Sequence, residues 1–287
     1  EQTFPFLPKY ISTAESTYGA KTTNLDFITR PDESRKTINR WVEEQTEEKI
    51  RDLLPDGSID PRTRLVITNA IYFKGTWVKQ FNESTTTEED FLTGDGTIVR
   101  VPMMQRTDKD AIYRYGETGT LQVLGMPYES GSGRQLSMLV LLPKGGNLAK
   151  VEQSLDLTGL FELRQNLTSQ RVNVSFPKFS METKYSLPGA LSAMGMPTAF
   201  TRDADFSGMD GKRDLFIDDV IHQAFVEVVE EGTEAAAATA VVIRMTSLQL
   251  EEPVPVFRAD HPFIFLIQDD ETGNILFMGR VMDPSGT

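Results

Sequence analysis

Two histidines and no cysteine limit the covalent chemistry open to this chain of 287 residues. A nucleophile activated by a general base would have to use His222 or His261 as the base, since no thiol is available. No recognisable nucleophile motif flanks either histidine, and His261 stands at the edge of a strongly apolar run. The sequence also contains no metal-binding or nucleotide-binding motif. We therefore expect a protein that is not an enzyme and that has no cofactor and no metal site.

The charge balance excludes further classes of partner. The chain has 29 Lys and Arg residues against 42 Asp and Glu residues, a formal net charge of −13. An average surface of this sign repels nucleic acid and anionic membranes, and we expect neither as a partner. The longest apolar runs, near residues 139–142 and 263–267, are too short to cross a bilayer. The negative charge does not exclude a partner protein with a basic surface.

The pattern of apolar residues predicts a mixed α+β fold. The helix that begins at Pro31 is expected to carry Ile38, Trp41, Val42 and Ile50 on one stripe, and residues 64–74 read as a strand buried on both faces. No internal repeat or clear linker is visible, which favours one domain over residues 1–287. The predicted helices cover residues 6–18, 31–50, 147–165 and 186–194. The predicted strands cover residues 25–28, 64–74, 85–91, 97–103, 111–115, 121–128, 136–142, 171–179, 223–229, 262–267 and 275–281.

Residues 231–255 (EGTEAAAATAVVIRMTSLQLEEPVP) do not fit an ordinary connection between two strands. Such a connection is far longer than the usual loop, which favours a functional role or a different assignment. The alanines permit a helix, whereas Thr239 and the β-branched run 241–243 favour a strand. As a strand, one face would carry only small side chains. The segment could then serve as a spare strand that is able to enter a sheet.

Several motifs make the chain resemble the serpin family. Residues 230–239 (EEGTEAAAAT) are similar to the hinge of inhibitory serpins, and residues 257–267 (FRADHPFIFLI) to the signature that follows the reactive loop. Residues 68–77 (TNAIYFKGTW) resemble the strand of the central sheet and the tryptophan beyond it, and residues 101–104 and 277–281 are also serpin-like. The resemblance runs through the whole chain in order. It implies a serpin-like fold of large mixed and antiparallel sheets with covering helices and an exposed reactive-centre loop.

The resemblance also implies an activity, which is suicide-type trapping of proteases. The loop, at about residues 231–253, would be cleaved as bait, and hinge residues 232–240 would then enter the central sheet as a new strand. The expected partners are serine proteases of the trypsin, chymotrypsin, elastase or subtilisin type, with cysteine proteases as a second class. No proline interrupts the chain between Gly232 and Glu252, so ladder hydrogen bonds are not blocked there. The hinge residues implied are Glu230, Gly232, Thr233, Ala235, Ala236, Ala237, Ala238 and Thr239.

The cleaved bond has three candidates. The usual family spacing from Glu230 places it at Thr246–Ser247. Arg244 is the only basic residue of the loop before Arg258 and would suit a trypsin-like pocket. Met245 would suit a chymotrypsin- or elastase-like enzyme. These alternatives remain open at the level of the sequence.

Four residues outside the loop receive mechanical roles from the resemblance. Asn69 and His222 match a hydrogen-bonded pair at the place where the sheet must part, and Trp77 matches the tryptophan beyond the central strand. Lys178 matches a lysine that pairs with the acid at Glu230. Taken without the family, a lone histidine and a surface lysine would carry no such meaning.

Further expectations concern the whole protein. The alternative to an inhibitor is a non-inhibitory serpin that acts in binding, chaperoning or storage. We expect a monomer that is prone to polymerise by loop insertion, and a secreted, extracellular protein rather than a cytoplasmic one. Compared with the serpin pattern, residue 1 falls within a mid-domain helix. The sequence is therefore expected to lack the N-terminal part of the fold and to expose apolar surface in its absence.

Overall fold

A computed structural model describes residues 1–131, 133–232 and 253–286 of the chain. The chain divides into two compact units. The first comprises residues 1–72 and 182–225, and the second comprises residues 73–181 and 226–287. The expectation of a single domain stays a prediction.

The described residues form six α-helices, two short 3₁₀ helices and thirteen strands. The α-helices are α1 (Pro8–Tyr18), α2 (Pro31–Gln45), α3 (Leu148–Ser154), α4 (Leu157–Gln165), α5 (Pro188–Ala193) and α6 (Ser207–Asp210), and the 3₁₀ helices are Glu83–Thr85 and Thr198–Phe200. The strands are β1 (Asn69–Phe73), β2 (Thr87–Leu92), β3 (Ile98–Arg106), β4 (Ile112–Glu117), β5 (Leu121–Pro127), β6 (Leu136–Pro143), β7 (Thr168–Arg171), β8 (Asn173–Pro177), β9 (Phe179–Ser186), β10 (Ile221–Val228), β11 (Val256–Arg258), β12 (Phe263–Asp269) and β13 (Ile275–Val281).

These strands form three sheets in the described part of the chain. Their orders are β1-β10-β9, then β11-β8-β3-β2, then β13-β12-β6-β5-β4-β7. β11 runs parallel to β8, whereas β12 is antiparallel to both β6 and β13, so the architecture is mixed. The core of the second unit is rich in aromatic side chains, with Trp77, Tyr128, Phe176, Phe263 and Phe265 almost fully buried.

Helix ends follow local chemistry. Proline occupies the first turn of α1 and α2, where its missing N–H costs nothing, and Gly19 ends α1 in the left-handed region at a φ of 64°. α2 stops at Gln45, because Glu47 and Glu48 have positive φ values of 49° and 60°. The prediction of a helix through Ile50 is therefore wrong. Ile50 is nevertheless fully buried, in a cluster with Val42, Leu53 and Phe225.

Two predicted strands differ from the structure. Residues 25–28 form no strand, because Asp26 accepts a hydrogen bond from the Thr29 amide at 2.8 Å and closes a turn that buries Phe27 against Leu54 and Ile59. In residues 64–74 only β1 is a strand, and it is not buried on both faces, since Asn69 is exposed. Ile67, before β1, is 73% exposed. An apolar run alone does not reveal how many of its residues find a ladder partner.

Two other predictions are too coarse. The helix over 147–165 is two helices, because Asp156 caps α4 by accepting a hydrogen bond from the Gly159 amide at 2.7 Å. The range 171–179, predicted as one strand, contains the last residue of β7, all of β8 and the first residue of β9. The helix predicted from residue 186 begins at Pro188. Across the described ranges, no helix is both long and apolar enough to cross a membrane.

Candidate functional site

The first part of the site is the seam between β1 and β10, which are hydrogen-bonded neighbours. Asn69 opens β1 and His222 is the second residue of β10. His222 Nδ1 lies 2.7 Å from Asn69 Oδ1, a contact in which the imidazole donates and the amide oxygen accepts. The two residues that the sequence placed together are therefore in contact, and their hydrogen bond spans the seam at the start of both strands.

The second part lies beyond the C-terminal end of β10, where the carboxylate of Glu230 is buried. Glu230 Oε2 forms an ion pair with Lys178 Nζ at 2.8 Å, and its Oε1 accepts a hydrogen bond from the Thr86 hydroxyl at 2.7 Å. Burial by itself raises the pKa of Glu230, but the hydrogen bonds from Lys178 and Thr86 outweigh it and lower that pKa below its ordinary value. The carboxylate is thus held in its charged form.

Trp77 fastens the backbone around this carboxylate. Its indole Nε1 donates to the Val229 carbonyl at 3.1 Å, and its backbone amide donates to the Glu231 carbonyl at 2.9 Å. The indole ring stacks on Tyr128 with ring centroids 4.3 Å apart, and both rings are almost fully buried. The amide of Phe81 donates to the Glu230 carbonyl at 2.8 Å. Residues 229–231 are therefore held to the segment 77–81 through backbone groups.

Gly232 is the last described residue before the gap at 233–252, and its position admits no side chain. Its φ is 124°, a region that residues with a Cβ rarely adopt. A Cβ here would lie 2.2 Å from the Gly75 carbonyl oxygen and 2.6 Å from the Trp77 amide nitrogen. The sequence predicted backbone freedom at Gly232, and the structure adds close approach of another backbone segment as the stronger requirement.

The remaining residues assigned from the sequence belong to the hinge and to the candidate bonds. Thr233, Ala235, Ala236, Ala237, Ala238 and Thr239 of the hinge lie outside the described residues, as do Arg244, Met245, Thr246 and Ser247 of the candidate bonds. The chain is described again from Pro253, and β11 then pairs with β8. Where the chain is described, no group of three His, Cys, Asp or Glu side chains could hold a metal ion.

Sequence reasoning missed two members of the site, Thr86 and Tyr128. Thr86 is the middle residue of three consecutive threonines, and nothing in that run marks which hydroxyl meets Glu230. Tyr128 directly follows β5, a strand that the apolar pattern predicted well, but its stacking on Trp77 joins residues 51 positions apart. Both contacts depend on how strands are brought together.

A fold with one mixed sheet and one six-stranded antiparallel sheet, and with a buried acid paired to a lysine at the start of a long connection, defines the class of protein. The family model described as Serpin (serine protease inhibitor) matches residues 1–284. The chain belongs to the serpin family. The predicted resemblance and the predicted α+β fold class are confirmed.

Curated relatives agree with this assignment. A serpin-like protein of Thermococcus kodakarensis is 44% identical over 276 residues, which cover 96% of this chain and 62% of the relative. Human leukocyte elastase inhibitor is 43% identical over 292 residues, covering 99% of this chain and 75% of that protein. The chain thus spans a little under two thirds of the archaeal relative and three quarters of the human one.

Solved structures show the same fold. Uncleaved ovalbumin is 31% identical with a TM-score of 0.84, covering 99% of this chain and 75% of its own. The Arabidopsis serpin AtSerpin1, in its native stressed conformation, is 32% identical with a TM-score of 0.82, covering 99% and 74%. Thyroxine-binding globulin, in complex with thyroxine, is 29% identical with a TM-score of 0.81, covering 99% and 73%.

Proposed function

We propose that this protein inhibits serine proteases by covalent trapping, with cysteine proteases as a second class of target. The observation that carries the proposal is the direct pairing of β1 with β10, which closes the seam. After β10, the chain is held at residues 229–232 by backbone hydrogen bonds. A strand of small residues, such as the sequence provides at 233–239, could open this seam and fill it.

In the proposed mechanism the protease attacks a carbonyl within residues 244–247. The bond to the following amide nitrogen breaks, and the inhibitor remains esterified to the nucleophile of the protease. The segment from residue 233 then enters between β1 and β10, which requires the hydrogen bond between His222 and Asn69 to break. About 14 inserted residues at roughly 3.3 Å each would carry the protease about 45 Å. Displacement before hydrolysis of the ester leaves the protease trapped.

The chemistry of the bait limits the targets. Thr246 or Met245 would occupy an apolar or small specificity pocket, whereas Arg244 needs an acidic one. Relatives that carry the name leukocyte elastase inhibitor make elastase-type enzymes the first to test. We favour Thr246–Ser247, and Arg244–Met245 and Met245–Thr246 remain the alternatives.

The test is a panel of one elastase, one chymotrypsin, one trypsin and one subtilisin, with a papain-type enzyme for the cysteine class. Each is mixed with the protein at equal concentration and analysed on denaturing gels. We expect a complex that survives denaturation with at least one serine protease, and mass spectrometry of the released C-terminal peptide will identify the bond. Cleavage within 244–247 by every enzyme with no stable complex would contradict trapping.

A second function is favoured by the structural neighbours. Ovalbumin and thyroxine-binding globulin share the fold, and the latter was solved with a bound hormone. A non-inhibitory serpin that acts in binding, chaperoning or storage would be cleaved in the same segment without trapping the protease. Its stability would not increase on cleavage, which separates it from the inhibitor.

A further inference from the structure

The junction between β11 and β12 holds the second histidine, His261, between two hydrogen-bond acceptors. Its Nδ1 lies 2.8 Å from Asp260 Oδ1, and its Nε2 lies 2.7 Å from the carbonyl oxygen of Pro143. A carboxylate and a carbonyl can only accept, and a neutral imidazole has a single N–H to donate. Both contacts are satisfied together only when the ring is protonated. This arrangement also leaves no ring nitrogen free to act as a general base.

The charges around the ring favour that protonated form. Asp260 Oδ2 accepts a hydrogen bond from Arg258 Nε at 2.8 Å, and Arg258 is paired in turn with Glu89 of β2 at 2.5 Å. On the side of β6, Lys144 follows Pro143 and is paired with Glu117 at 2.9 Å. The hydrogen bond to Asp260 raises the pKa of His261, burial opposes the rise, and the Pro143 carbonyl adds to it, with a net increase.

His261 is placed where it can fasten a weak strand. β11 has three residues, and among the described residues it lies at an edge of its sheet and pairs only with β8. It is also the first strand after the gap at 233–252. Through Asp260 and Arg258, the ring connects this strand to the end of β6, which belongs to another sheet of the same unit. The Asp260 carbonyl accepts from the Leu92 amide at 2.8 Å, so β2 ends at the same junction.

We propose that His261 is a proton-dependent latch on β11, which holds this strand against the end of β6 while the ring is charged and releases it on deprotonation. Because the pKa of His261 is raised, its stabilisation is complete below the unfolded value of about 6.5 and is lost as the pH rises through the folded value. β11 is therefore firmly held below about pH 6.5 and loosens as the pH rises through the raised pKa of His261. This behaviour is independent of whether the protein traps a protease.

Nuclear magnetic resonance of the ¹⁵N-labelled protein tests the charge directly, because the chain has only two histidines. At pH 6 we expect both ring nitrogens of His261 to show the chemical shifts of N–H donors.

Hydrogen exchange of the β11 amides, expressed as protection factors, tests the release. Protection should fall tenfold for each pH unit between the pKa of the released ring and that of the latched ring, and then level off.

Three variants separate charge from packing. His261→Arg keeps a positive charge at every pH, and the β11 amides should remain protected at pH 9. His261→Gln keeps a hydrogen-bonding side chain without charge, and protection should be low throughout. His222→Gln removes the other histidine and should leave β11 as in the wild type. A His261 ring with one unprotonated nitrogen at pH 6 would overturn the proposal in the wild-type protein itself, and so would a His261→Gln variant with the wild-type pH course.

Discussion

At the scale of single residues, the carboxylate of Glu230 decides how the start of the proposed loop is held. Its side chain is 6% exposed, and the lysine that neutralises it is 34% exposed. A buried carboxylate without its partner is costly, since water no longer compensates the charge. The ion pair with Lys178 is therefore worth more than a pair between two exposed side chains.

Replacing Lys178 by methionine tests this argument. In the wild type the lowered pKa of Glu230 means that its stabilisation is present above about pH 4.5 and is lost as the pH falls through the lowered folded value. Without the lysine, burial is opposed only by Thr86 and the backbone, so the charged carboxylate is penalised at neutral pH. We expect a loss of about 2 kcal/mol in the free energy of unfolding at pH 7. Urea unfolding measures it, and the loss should shrink in acid as Glu230 is protonated.

Lys144→Met is the matched control. Lys144 is 35% exposed, almost the same as Lys178, but its partner Glu117 is 51% exposed. We expect the control to lose less than about 1 kcal/mol. Equal losses for the two variants, or a Lys178→Met loss that is as large at pH 3 as at pH 7, would show that the burial of Glu230 is not the cause.

At the scale of elements, the proposed function depends on whether residues 233–246 can become a strand between β1 and β10. An inserted strand must donate and accept ladder hydrogen bonds on both sides. The seam that it would enter is closed by direct pairing of β1 with β10 and by the contact of His222 with Asn69. Any residue that cannot donate a ladder bond should therefore slow insertion relative to hydrolysis of the acyl-enzyme.

Ala235→Pro removes one such donor and should convert the inhibitor into a substrate. The carbonyl left without a partner costs about 1–3 kcal/mol, or roughly 5- to 150-fold in the ratio of trapping to turnover. We expect cleaved protein and active protease on denaturing gels in place of the stable complex. The measurement is the number of inhibitor molecules consumed for each protease inactivated.

Leu250→Pro is the control for this variant, because it introduces the same residue on the other side of all three candidate bonds. It should trap the protease at the wild-type stoichiometry. Trapping by Ala235→Pro that matches the Leu250→Pro control would argue against insertion of the hinge.

At the scale of the whole molecule, insertion would add a strand between β1 and β10 to the three-stranded sheet β1-β10-β9. A gain of a few kcal/mol from that strand corresponds to an increase in Tm of roughly 5 °C for a chain of this size. We expect this increase after limited cleavage within residues 244–247, measured by differential scanning calorimetry with the fragments kept together. An unchanged or lower Tm in the cleaved protein would favour the non-inhibitory alternative. Monomeric state, polymerisation and extracellular location stay predictions.

Some features of this protein follow from the sequence alone. Strands with a strong apolar pattern, such as β6 and β13, are found almost where the periodicity places them, because alternation and burial are local signals. The C-terminal end of α1 follows from Gly19, whereas its start at Pro8 lies two residues after the predicted one. The family follows from short contiguous motifs that can be recognised without the structure. The pairs Asn69–His222 and Lys178–Glu230 follow from the family.

The tertiary structure alone decided the rest. The turn at 27–29, the stop of α2 before Ile50 and the shortness of β1 depend on which partners reach each segment. Thr86, Tyr128 and the double contact of His261 join residues far apart in sequence, and Gly232 is required by a carbonyl that belongs to Gly75. A linear pattern records what a residue can do, whereas packing determines which atoms stand within 3 Å of it.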